Sequence, residues 1–196
     1  AADALVRRHG TVSLGDGQIL PVIGTKEAIA GICSTLGLGG GDLVVIPQVA
    51  YPTYEVSAIL AGAQPVRADE SGTVPGSAPT LVFLNSPSNP TGTTIAFDTL
   101  KSVCDLAKER GAWRIVDETY LDLADREPDG SDVKSVLACD PDAIVCSSFS
   151  KFFGMTGWRL GWMIVPEYAL EAMDDLATNF FLCAHTPTQH AALACF

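Results

Sequence analysis

Lys151 sits in the run Ser147-Ser148-Phe149-Ser150-Lys151-Phe152-Phe153-Gly154, which continues to Gly157-Trp158-Arg159-Leu160-Gly161. It follows an apolar segment at residues 143–146 that reads as a strand. Aromatic residues surround it, hydroxyls precede it, and Arg159 stands eight residues later. Apolar surroundings disfavour an ammonium ion and lower a lysine pKa. The neutral amine is the form that condenses with a carbonyl. A strand-end lysine with neighbouring serines and a following arginine therefore reads as an amine held beside an anionic group. The other reading is an ordinary loop lysine whose stem is covered and whose head reaches water.

Four further groups of reactive or polar residues follow predicted strands or open predicted helices. Asp117-Glu118-Thr119-Tyr120 comes after an apolar strand, and an acid there either caps the next helix or pairs with a buried cation. Asn85-Ser86-Pro87-Ser88-Asn89-Pro90-Thr91-Gly92 is a loop braced by two prolines, either a plain turn or a rigid part of a site; one of its X-Pro bonds could be cis. Tyr51 and Tyr54 lie in Pro47-Gln48-Val49-Ala50-Tyr51-Pro52-Thr53-Tyr54, an aromatic pair that serves either the core or a ligand. Gly24-Thr25-Lys26 opens a helix, where free amides and the helix dipole favour an anion unless Thr25 simply caps the end.

The elements that would carry these residues alternate along the chain. Helices are expected at 25–36, 52–61, 97–110 and 167–177, where apolar residues recur at three- and four-residue spacing. Short apolar strands are expected at 43–47, 64–67, 80–84, 112–116, 143–146 and 160–165, with Arg114 an unusual residue for a buried strand. Residues 69–79 and 122–134 read as loops. The Gly37-to-Gly41 run precedes a strand, and no Gly-Lys-Ser/Thr follows it, so it reads as a helix C-cap and turn instead of a phosphate loop. Alternating strands and helices with nearly continuous apolar strands indicate an α/β fold, a mostly parallel central sheet flanked by helices. Ligands in such sheets bind beyond the carboxyl ends of the strands, where most of these groups fall.

Composition bounds the rest. The 196 residues can bury a full core as one domain, and 47% hydrophobic with 18% charged residues is a globular balance. A net charge of −11 argues against nucleic acid as a partner, and the apolar runs are strand-sized, which argues against a membrane span. The chain begins Ala1-Ala2-Asp3, without a charged-then-apolar leader, and reads as entering the middle of a helix. Six cysteines without zinc-like spacing suggest a reducing cytoplasm and no metal. His185 and His190 are five apart, the wrong spacing for one helical face.

Taken together, the segments IGTKEAI, PQVAYPTY, NSPSNPTG, VDETY and SFSKFFGMTGWRLGW resemble the pyridoxal phosphate-dependent aminotransferases of fold type I, class I/II, from about residue 20 to the end. The resemblance implies the large domain of the aspartate aminotransferase-like fold and pyridoxal 5′-phosphate as cofactor. It implies that Lys151 carries the cofactor and shuttles a proton, and that Asp117 keeps the pyridine nitrogen protonated. Tyr120 and Asn89 would hydrogen-bond the ring oxygen, and Tyr51 would stack on the ring. The phosphate would meet Gly24, Thr25, Lys26, Ser148 and Arg159, the last through a planar bidentate fork. Amino acid and 2-oxo acid substrates are implied, with a homodimer in the full-length protein.

The chain departs from the family in length. Members carry an N-terminal arm before this region and a small domain after it, so residues 1–196 read as the cofactor-binding large domain alone, inactive or nearly so by itself. The chain reads as ending inside a helix at Cys195-Phe196. LPVIGTKE and AYPTYEVSAILAGA are similar to the succinyldiaminopimelate aminotransferases of lysine biosynthesis, whereas GMTGWRLGW is similar to aspartate or broad-specificity aminotransferases. A C–S lyase or cyclopropane-carboxylate synthase on the same scaffold would use the same residues. A ligand-sensing domain of the aminotransferase-like transcription regulators would keep the site as a binding module. Ser148-x-x-Lys151 also matches a serine acylase, but the partner motifs S-D-N and K-T-G are absent.

Overall fold

The computed structural model describes residues 14–15, 17–68, 78–127 and 129–195. Seven strands form one sheet in the order β1-β7-β6-β5-β4-β2-β3. They are β1 (Ile19–Val22), β2 (Leu43–Pro47), β3 (Gln64–Ala68), β4 (Leu81–Asn85), β5 (Trp113–Asp117), β6 (Ile144–Ser148) and β7 (Gly161–Ile164). The helices are α1 (Thr25–Thr35), α2 (Thr53–Ala61), α3 (Phe97–Glu109), α4 (Glu167–Phe181) and α5 (Thr186–Leu193). From β3 to β6 the ladder is parallel, and β7 runs antiparallel to both β6 and β1. The expectation of a mostly parallel sheet flanked by helices holds.

Period-two alternation divides the core between the two sheet faces. Val44, Ile46, Leu81, Phe83, Ile115, Ile144 and Cys146 face a layer that includes Ile29, Ile32 and Cys33 of α1, Ala58 of α2 and Met173 of α4. Val45, Val82, Leu84, Val116 and Val145 face the other layer, with Leu100, Cys104 and Ala107 of α3 and Ala192 of α5. Both faces being covered, β4 and β6 are buried at every position. That explains why their sequences are continuous apolar runs.

Strand register decides what meets at the carboxyl ends. Asn85 of β4 lies beside Asp117 of β5, which lies beside Cys146 of β6. Ser148, at the end of β6, lies beside Gly161 of β7. One edge of the sheet thus gathers an amide, a carboxylate and a hydroxyl.

Several boundaries differ from expectation, each for a local reason. β1 was not anticipated. It is four residues long and includes exposed Pro21, which an edge strand tolerates because it needs no donor on its outer side. α4 runs to Phe181 instead of stopping at 177, since no glycine or proline interrupts it and Asn179 Nδ2 donates to the Asp175 carbonyl (2.7 Å). α5 ends at Leu193 and closes in a turn, so Cys195 is not helical as expected; Phe196 lies outside the described residues. The expected helix at Ala1 and most of the loop at 69–79 (residues 69–77) also lie outside them. Three short 3-10 turns are present, Leu121–Leu123, Val136–Ala138 and Thr156–Trp158, the first overlapping the start of the expected 122–134 loop.

Arg114 resolves its unusual place in β5 by pairing with Asp140, which leads into β6. Nε donates to Oδ2 (2.8 Å), Nη2 to Oδ1 (3.0 Å) and Nη1 to the Ala112 carbonyl (3.0 Å), and both side chains are buried. Removing one member leaves the other charge buried and unpaired, at a cost of about 3–5 kcal/mol. Asp140→Ala is therefore expected to lower unfolding stability by about that amount in urea titrations at pH 7, and an apolar double replacement, Arg114→Met with Asp140→Leu, to recover most of it. A loss below about 1 kcal/mol in the single variant would show the pair to be energetically idle.

Candidate functional site

Asp117 is the last residue of the central strand β5 and is 6% exposed. Its Oδ2 accepts a hydrogen bond from the Tyr54 hydroxyl (2.8 Å) and its Oδ1 from the Thr119 amide (3.0 Å). Burial pushes the Asp117 carboxyl above the ordinary aspartate range, and the bonds from Thr119 and Tyr54 partly oppose it. Tyr54 is wholly buried in the first turn of α2, stacked on Phe83 of β4 with ring centroids 4.9 Å apart. Burial first, and then the Asp117 charge, push its phenol well up, so it remains a donor. Tyr54 was legible in the sequence only as half of an aromatic pair. Its place just after a buried strand, two strands from an acid at a strand end, is the signal that could have marked it.

Tyr51 meets Tyr54 edge-on at 5.8 Å and is half-buried. Lys26 Nζ stands 5.9 Å from the Tyr51 ring centroid, which brings the start of α1 to this aromatic pair. Gly24 is the N-cap of α1, with φ 133°, and no side chain caps that end. The Thr25 hydroxyl, expected either to cap the helix or to leave its amide free, instead donates to the Ser147 carbonyl (2.5 Å) and pins the helix start to β6. Gly161 makes this approach possible, because a Cβ there would lie 2.5 Å from Thr25 Oγ1 and 2.8 Å from the Ser147 oxygen. Arg159 adopts φ 50° and reaches over Gly24, where its Nη2 donates to both carboxylate oxygens of Glu27 (2.9 and 2.7 Å). A Cβ on Gly24 would overlap that guanidinium and that carboxylate. Ser148 lies beside this end, its Oγ accepting the Ser150 amide (3.0 Å).

Of the two readings of Lys151, the structure matches the loop lysine whose head reaches water. β6 ends at Ser148, and the chain turns away from the sheet before Lys151, so the lysine is exposed instead of buried in an apolar pocket. Phe152 beside it is 41% exposed. Lys151 Nζ lies 5.8 Å from the Tyr120 ring centroid. Tyr120 and Asn89 line a common cleft of about 370 Å³ with Ser88, Gly92 and Leu123. Asn89 is held by its own amide, which donates to Asn85 Oδ1 (2.7 Å), while Asn85 Nδ2 donates to the carbonyls of Pro87 (3.0 Å) and Asp117 (2.9 Å). Both X-Pro bonds of this loop, Ser86-Pro87 and Asn89-Pro90, are cis. Asn85 thus ties the Asn89 loop to the Asp117 strand, a role that its place in the sequence did not reveal.

A connected path of contacts therefore joins the expected residues: Thr25 to Ser147, Lys26 to Tyr51, Tyr51 to Tyr54, Tyr54 to Asp117, Asp117 through Asn85 to Asn89, and Asn89 through the cleft to Tyr120 and Lys151. One end offers the uncapped amides of α1 and a guanidinium over a glycine, which suits a phosphate. The middle of the path holds a buried carboxylate with no cation among its hydrogen-bond partners in the described residues, which suits a protonated ring nitrogen. Beyond it on the path come two side chains with polar hydrogens and an amine. These features fit pyridoxal phosphate.

The family model for aminotransferase class I and II matches residues 1–196. A probable aminotransferase of Mycobacterium tuberculosis is 46% identical over 195 residues, covering 97% of this chain and 46% of the relative. The 4-dedimethylamino-4-oxo-anhydrotetracycline transaminase of Streptomyces rimosus is 39% identical over 164 residues, covering 82% and 45%. The crystal structure of an aminotransferase from Mycobacterium tuberculosis superposes with a TM-score of 0.85 at 27% identity, over 97% of this chain and 54% of that one. Other relatives carry the names LL-diaminopimelate, N-acetyl-LL-diaminopimelate, valine–pyruvate and aspartate aminotransferase. The chain spans about half the length of the curated relatives it matches. It belongs to the class I and II aminotransferases, a pyridoxal phosphate-dependent family.

Proposed function

We propose that this chain is the cofactor-binding large domain of a transaminase that moves an amino group between an amino acid and a 2-oxo acid. The observation that carries the reading is the Asp117–Tyr54 pair at the end of the central strand, on the same contact path as Lys151 and the start of α1. Bound here, pyridoxal phosphate would supply a carbonyl that captures amines and a ring that withdraws electrons from the substrate α-carbon.

In this reading each residue has a physical task. The Asp117 carboxylate would keep a proton on the ring nitrogen, with Tyr54 fixing the carboxylate by donating to its Oδ2. Lys151 would hold the cofactor through its amine and would carry a proton from and to the substrate. Tyr120 and Asn89 would meet the ring oxygen, and Tyr51 would cover one face. The amides of Thr25 and Lys26 after Gly24, the Ser148 hydroxyl and the Arg159 guanidinium would hold the phosphate.

The substrate assigned here is N-succinyl-diaminopimelate with glutamate, in lysine biosynthesis. It rests on the LPVIGTKE and AYPTYEVSAILAGA segments and is in keeping with diaminopimelate aminotransferases among the relatives. Rates with that pair against aspartate and 2-oxoglutarate test the choice, and a clear preference for the second pair overturns it. The six cysteines are all free, in keeping with the cytoplasm, and no helix among the described residues is long and apolar enough to cross a membrane. The complete protein is taken to act as a homodimer, with no nucleic acid or membrane partner.

Two expected outcomes follow from these assignments. Borohydride reduction of the protein mixed with pyridoxal phosphate should fix the cofactor on the peptide containing Lys151, and Lys151→Ala should abolish that labelling. Continued labelling at this site in the variant would remove Lys151 from its role. The second concerns the energetic cost of Asp117. Its carboxyl titrates higher in the folded protein than in the unfolded chain, so the folded state holds the proton more tightly. Without cofactor, the stability linked to Asp117 is greatest below the unfolded-state value of about 3.9 and falls as pH rises through the raised folded value. Asp117→Asn should accordingly be more stable than the parent at pH 7 in urea titrations, with the gap closing as pH falls toward 4. A variant no more stable at any pH would show that the carboxylate is fully compensated.

A further inference from the structure

Glu27 has no part in the assignments above, yet the Arg159 guanidinium is held by it. Arg159 Nη2 donates to both Glu27 oxygens, Nη1 donates to the Thr156 carbonyl (3.0 Å), and the ion pair is about half exposed. Glu27 lies in the first turn of α1, where the helix dipole favours a carboxylate. The amides offered to a phosphate lie in that same turn. Gly24 completes the arrangement, because any Cβ there would overlap both members of the pair and because φ 133° suits glycine alone.

We propose that Glu27 is a positioning residue for phosphate recognition, fixing Arg159 to the helix turn whose amides share the same anion. The inference rests on the assignment of Arg159 to the phosphate. A guanidinium has five N–H donors. Glu27 and Thr156 leave at least the Nε–H and one Nη1 hydrogen uncommitted to either of them; these lie on different edges, so with the carboxylate retained Arg159 offers an oxyanion a single bond, not a bidentate fork. Arg159 is otherwise a long, half-exposed side chain that would have to be ordered anew each time an anion binds. The alternative role for Glu27, a counter-ion that must be displaced, predicts the opposite sign: removing its charge would then tighten anion binding.

The test is an absorbance titration of the complete, cofactor-free protein with pyridoxal phosphate and, separately, with pyridoxal, which lacks the phosphate. Arg159→Ala should weaken pyridoxal phosphate binding and leave pyridoxal binding unchanged. Glu27→Ala should weaken pyridoxal phosphate binding about tenfold, with pyridoxal again unchanged, and Glu27→Gln, which keeps one acceptor, should lose less. In the Arg159→Ala background, Glu27→Ala should cause no further loss. Equal weakening toward both ligands would mark a merely structural role and overturn the proposal. Tighter pyridoxal phosphate binding by Glu27→Gln, or no change in Glu27→Ala, would overturn it too. If Arg159→Ala left the preference for the phosphorylated ligand intact, the assignment of Arg159 would fall, and this inference with it.

Discussion

A carboxylate buried at the end of the middle strand is the constraint on which the rest of this site depends. Asp117 is buried, and a charge in that position is costly unless it is bonded. Charge-assisted bonds from Tyr54 and Thr119 offset part of that cost. In the proposed reading a protonated ring nitrogen would be its partner, and the unfavourable burial of Asp117 in the free protein would become selectivity for a cationic ring.

Holding that carboxylate requires much of the architecture. Tyr54 reaches it because α2 starts directly after β2, two strands away from β5, and because its ring is clamped against Phe83 on the strand between. Asn85 holds the Asp117 backbone, donating to its carbonyl, because β4 and β5 pair in register. The anion end is set by a different device, the Thr25 hydroxyl bonded to the strand that precedes Lys151. The start of α1 and the Asp117 carboxylate are thereby both tied to one sheet. Small residues matter to this site where backbones must approach, as at Gly161, and where a guanidinium passes over the chain, as at Gly24.

Much of this was legible in the residues, and the reasons differ by element. β2 was read to its ends and α3 to within one residue, since a strand buried on both faces and a strongly amphipathic helix both leave clear patterns. β1 was missed because four residues with a proline carry almost no periodic signal, and its place is fixed by β7, far away in sequence. The site residues stood out because chemistry clusters at strand ends. Their supports did not. Tyr54, Asn85 and Glu27 act through contacts 63, 32 and 132 residues distant, which no local pattern encodes. The aromatics flanking Lys151 in sequence leave an apolar pocket and a solvent-reaching loop lysine equally open; the turn after β6, which no local pattern encodes, puts it at the surface.

The most direct test of the central claim is nitrogen-15 NMR of pyridoxal phosphate labelled at its ring nitrogen and bound to the complete protein. The account predicts a protonated nitrogen across neutral pH, with the proton lost or shared differently when Asp117 is replaced by Asn. An unprotonated ring nitrogen in the unaltered protein, or a signal indifferent to Asp117, would contradict it.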